Sequence, residues 1–160
     1  MKRARNLLVA NLIAQLAFGL LAMTLCLPSM QEWGDIFQTS QSTVQLTFSL
    51  YVLAYGGFQL IYGPMSDRYG RKPILLIGLL TLFIGATIAA FANSLETLLL
   101  GRFIQGAGGA AGMVVGRSMV QDLFHGPERT KVMAYVGMSL GCVPPLASIT
   151  GGQIHVHLGW

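Results

Sequence analysis

The chain has 160 residues, of which 53% are hydrophobic and only 10% charged, against roughly 25% charged in an ordinary soluble domain. With a mean hydropathy of +0.60 and its apolar residues gathered in long unbroken runs, the composition excludes a water-soluble fold. A net charge of +4 and a pI near 9.4 raise nucleic-acid binding, which the sequence rejects because it holds no basic patch with interleaved aromatics.

Crossing about 30 Å of hydrocarbon takes about 20 apolar residues at 1.5 Å rise each. Five stretches qualify, at about 7–28, 44–65, 74–92, 97–120 and 132–154, so the expected fold class is an all-α membrane protein with five transmembrane helices. Lys2, Arg3 and Arg5 precede the first span, which ends at Pro28. That apolar run is longer than the roughly 7–15 residues of a signal peptide core, so it reads as a retained helix. Asn11 and Gln15 form a small polar stripe on it, read as packing. Residues 29–42 are polar, with Glu32, Asp35 and Trp33. They read as an outer loop, with the tryptophan at the membrane interface.

The second span carries Tyr51, Tyr55, Gln59 and Tyr62 at helical spacing, which puts them on one face. This stripe suits either an amphipathic ligand or helix–helix contact. Between the second and third spans lies Gly63-Pro64-Met65-Ser66-Asp67-Arg68-Tyr69-Gly70-Arg71-Lys72-Pro73. Its charges must stay outside hydrocarbon, since each costs about 2.5–3.5 kcal/mol at the centre of a span. Gly63 and Gly70 permit tight turns and close approach, and Pro73 is tolerated in a first helical turn. Residues 93–96 make a tight outer turn. In the fourth span Leu98, Arg102, Gln105, Gly106, Gly108, Ala110 and Ala111 form a second pattern. Arg102 is expensive within the membrane and is expected to face a cavity or a partner. Gly108, Gly112 and Gly116 make a small-residue stripe for a neighbouring helix. Arg117 and Asp122 close this span and are expected to join Asp67 and Arg71 in a charge cluster. The breaker pair Gly126-Pro127 follows. The fifth span holds Gly137, Gly141, Pro144, Pro145, Gly151 and Gly152, then His155 and His157, which read as loop residues. Cys26 and Cys142 offer neither a disulfide framework nor a metal-ligand spacing and read as packing residues.

Nine of the ten Lys and Arg lie on the side of the N-terminus, while the opposite loops hold Glu32, Asp35 and Glu96 and no base. The positive-inside rule then puts the N-terminus in the cytoplasm and the C-terminus outside. No catalytic constellation is present, and an enzyme is not expected.

These motifs together resemble the major facilitator superfamily. The G-x-x-x-D-R-x-G-R-K-P loop matches its cytoplasmic signature, the span-four pattern its L-x-x-x-R-x-x-Q-G-x-G-x-A motif, and the glycines and prolines of span five its antiporter-type motif. Their order is most similar to the Bcr/CflA group of drug:proton antiporters. The resemblance implies residues 1–160 as a partial N-terminal domain of a twelve-span transporter in the inner membrane. It implies export of small apolar or amphipathic compounds, a proton gradient as energy source, and no bound cofactor. The implied partners are the lipid bilayer, the small-molecule substrate, protons and a second transporter half. Within this reading Tyr51, Tyr55, Gln59, Thr24, Arg102 and Gln105 are candidate cavity residues. Gly63, Asp67, Arg68, Gly70, Arg71 and Lys72 form the gating loop. Many group members carry an Asp where this chain has Thr24, and no span holds a carboxylate at mid-depth, so the proton-coupling residue is unassigned. The chain stops at Trp160, where the family continues into a sixth span, so it is expected to be a truncated form, inactive alone.

Overall fold

A computed structural model describes residues 2–158, with side chains from 5 to 157. The side chains of Lys2 and Arg3 and the end at Gly159 and Trp160 lie outside the described residues. Among the described residues six helices are formed: α1 (Lys2–Thr24), α2 (Met30–Ile36), α3 (Gln41–Tyr69), α4 (Arg71–Ala90), α5 (Leu95–Leu123) and α6 (Gly126–Leu158). All except α2 are long and apolar enough to cross a membrane. Large apolar side chains such as Leu53, Leu60, Phe83 and Ile149 stand exposed around the bundle, which is where a bilayer would meet them.

The helices outrun the apolar stretches because polar residues cap them beyond the hydrocarbon. The Ser40 and Ser94 hydroxyls accept from the Thr43 and Thr97 amides at 3.3 and 3.2 Å, so α3 and α5 start three or two residues before their apolar cores. Gly70 (φ +95°) is the sole residue between α3 and α4, a conformation in which a side chain would be strained.

The segment expected to be an outer loop contains α2. Met30 and Trp33 are three apart and so share a face. Both are buried against Val44, Ala92 and Leu98. Trp33 is therefore a core residue, 3% exposed, where an interfacial position was expected. Likewise α1 ends at Thr24, four residues before Pro28.

The centre of the bundle is α5. Of its apolar window 67% is buried, against 33% or less for the other spans, and it touches α1, α3, α4 and α6. Its glycines allow this. A methyl on Gly108 would strike the Leu82 amide and the Gly78 carbonyl of α4. One on Gly112 would lie 2.6 Å from the Gln15 carbonyl, and one on Gly116 2.7 Å from Leu16, both on α1. The four-residue stripe thus serves two partners. It drifts about 40° per step around a helix of 3.6 residues per turn, and the single step from Gly108 to Gly112 carries it from α4 to α1.

Candidate functional site

At the basic end of the bundle, Arg71 opens α4 directly after Gly70 and folds back over its neighbours. Its Nε donates to Asp122 Oδ2 at 2.9 Å, and its Nη1 donates to Ser66 Oγ at 2.7 Å and to Asp67. One guanidinium therefore ties the end of α3, the start of α4 and the end of α5. Ser66, which sequence reasoning passed over, is 1% exposed and donates in turn to the Gly63 carbonyl at 2.9 Å. Its signal was its place one residue before Asp67 on the inward face. Arg68 and Lys72 point away and are exposed, Arg68 lying 5.5 Å from the Tyr69 ring centre. Arg117 was expected beside Asp122. It is exposed and makes no ion pair among the described residues, because five helical steps turn it about 140° away. Arg71 takes the carboxylate instead.

The second constellation is internal. Arg102 on α5 is 3% exposed. Its Nη1 donates to Gln105 Oε1 at 2.7 Å and to the Ala22 carbonyl at 3.2 Å, and its Nη2 to the Met23 carbonyl at 3.3 Å. The Tyr51 ring centre lies 4.5 Å from its Cζ, close enough for cation–π attraction. The last carbonyls of a helix have no intrahelical partner and carry the negative end of the helix dipole. Ala22 and Met23 are two such carbonyls of α1, so Arg102 caps that helix from a neighbour. Among the described residues no carboxylate bonds to Arg102.

Beside it lies a cavity of about 510 Å³ between α1, α4, α5 and α6. Leu21, Leu82, Ala86 and Ile154 give it an apolar wall, and Arg102 and Gln105 its polar end. The other candidate cavity residues are distributed differently. Thr24 is buried and donates back to the Leu20 carbonyl at 3.0 Å. Tyr51 is fully buried, with its hydroxyl donating to the Gly19 carbonyl at 2.7 Å, so it packs helices and does not line an open face. Tyr62 belongs to a core cluster with Ile74 and Val115. Tyr55 and Gln59 are half-buried. At 100° per residue, Tyr62, Tyr55 and Gln59 lie about 20°, 40° and 80° around α3 from Tyr51. The stripe rotates out of the bundle through Tyr55 to Gln59.

In α6 the glycine–proline pattern divides. Gly151 is buried, and a methyl on it would strike the Leu25 carbonyl, whereas one on Gly152 would lie 4.0 Å from Pro28 Cγ. A methyl on Gly137 or Gly141 would meet no neighbouring element within 4 Å, and Pro144 and Pro145 lie within an unbroken helix.

The family model described as Major Facilitator Superfamily matches residues 7–160. Among curated proteins, the chain is 40% identical over 84% of its length to an "Uncharacterized transporter" of Rickettsia bellii. It is 31% identical over its full length to "Multidrug resistance protein D" of Escherichia coli K12. It is 34% identical over 98% of its length to a "Chloramphenicol resistance protein" of Pseudomonas aeruginosa. The matches span 32%, 41% and 38% of those relatives.

Proposed function

The chain belongs to the major facilitator superfamily, and from that premise we propose that it forms one helical bundle of a proton-driven exporter of small apolar or amphipathic compounds. The relatives named for resistance to drugs support the substrate class. The geometry at Arg71 carries the mechanism. A rocking carrier needs a contact at one face that holds in one state and releases in the other. The ion pairs from Arg71 to Asp67 and Asp122 are largely exposed on the carboxylate side, and such pairs are individually weak, about 0–1 kcal/mol. They suit a reversible clasp better than a structural lock. The excess of basic residues around the clasp supports a cytoplasmic location for it, in a cell inner membrane. Tyr55 and Gln59, on the outward-turning part of α3, and Arg102 with Gln105 at the polar end of the cavity beside α5 are the proposed substrate-facing groups. Arg102 also holds α1 to α5, with Gln105 as its acceptor on its own helix.

A second bundle of the same superfamily type is the proposed partner, because alternating access works between two bundles about a midplane site. The test is proton-dependent dye efflux from an exporter-deficient host. The chain expressed alone should leave efflux at baseline. Co-expression with the remaining portion of a relative should raise it, and Arg71→Ala should abolish the gain while the protein stays in the membrane. Failure of every complementing half to restore efflux, with both pieces folded and inserted, rejects the exporter reading.

A further inference from the structure

The starts of α1 and α6 stand side by side at the basic end of the bundle. Arg5 Nη1 meets Glu128 Oε1 at 3.0 Å, across the mouth of a groove of about 420 Å³. Arg5, Asn6 and Lys131 form its rim, and Val9, Ile13 and Val132 line it below. Lys131 is exposed and has no ion pair among the described residues. Two fixed cations therefore face one carboxylate. The N-termini of two helices add their positive dipole ends. Eight residues separate Arg5 from Ile13, about 12 Å along the helix, so the lining passes from charge into hydrocarbon depth within one groove.

A soluble anion would use only the rim, and an apolar helix only the lower wall. We propose that this groove holds an anionic phospholipid, with its phosphodiester on Arg5 and Lys131 and the upper carbons of one acyl chain along Val9 and Ile13. A lipid with net negative charge is favoured over a zwitterionic one because Arg5 and Lys131 against Glu128 leave the rim with one net positive charge. Basic pockets between transmembrane helices recruit anionic headgroups in this way. The site depends on the membrane-spanning fold and not on transport.

The probe is Tyr135→Trp, placed at the groove wall, in vesicles of phosphatidylcholine containing brominated phosphatidylglycerol or brominated phosphatidylcholine. The fluorescence added over the parent chain reports the groove. Brominated phosphatidylglycerol should quench it at a mole fraction about fivefold lower than brominated phosphatidylcholine, the scale of one basic group at a membrane surface. Lys131→Gln should remove most of that preference, and Arg5→Gln/Lys131→Gln all of it. Ala10→Phe, which fills the groove and leaves its charges, should weaken quenching by both lipids. Helical content by circular dichroism checks that each variant is folded. Equal quenching by the two lipids overturns the proposal, as does a preference that survives the double substitution. So does displacement of the lipid by millimolar glycerol phosphate, which would make the rim a site for free phosphate.

Discussion

Arg102 carries the largest energetic consequence of any single side chain described here. Its fork satisfies two carbonyls of α1 and one amide oxygen of its own helix. Removing the donor from a buried acceptor costs about 1–3 kcal/mol per group. Arg102→Ala is therefore expected to lower unfolding free energy in mixed micelles by about 3 kcal/mol, measured by denaturing-detergent titration. Arg102→Lys, a single point donor in place of a planar fork, should lose about half as much. Tyr51→Phe deletes only the bond to Gly19 and should cost about 0.6–1.7 kcal/mol, the range for one hydrogen bond between membrane helices. A loss for Arg102→Ala no larger than that for Tyr51→Phe would rule out the capping role. The sequence indicated that Arg102 needed a partner. It could not name that partner, because the acceptors are backbone carbonyls some eighty residues away, and a main-chain acceptor has no residue type to read.

Among the helices, glycine spacing signalled close approach but not which surfaces approach. A methyl on Gly85 would collide with the Gln105 backbone of α5, whereas one on Gly141 would meet open space. Gly85→Ala should separate α4 from α5 and lower stability by about 1–3 kcal/mol, the usual range for overpacking. Gly141→Ala, in the chain alone, should raise it by about 0.5–1 kcal/mol through helix propensity. The same titration applied to both decides the point, and equal effects would contradict the packing described. The long helices were legible because each has an apolar run of membrane length. The short helix α2 was not, since seven residues give too few turns for a period to emerge, and the acids Glu32 and Asp35 disguise the buried face of Met30 and Trp33. The clasp was legible as opposite charges at three helix ends. The separation of Arg117 from Asp122 follows from helical phase, which the sequence also contained.

For the molecule as a whole, the proposed orientation puts the α4–α5 turn outside and the α5–α6 turn inside. In a background with Cys26 and Cys142 replaced, Asn93→Cys should react with an impermeant maleimide from the outer face. His125→Cys should react only after the membrane is opened. Both positions are exposed, so access and not burial decides the result, and the opposite pattern would invert the topology.

Gly70 gives the bundle a mechanical property. With one residue between them, α3 and α4 share a fixed elbow at the clasp end and are unjoined by any loop at the other. A helix of 20 residues is about 30 Å long, so a tilt of about 10° at the elbow would carry the far end about 5 Å. The joined ends would barely move. Small adjustments among Arg71, Asp67 and Asp122 therefore act at the short arm of a lever whose long arm reaches the opposite surface.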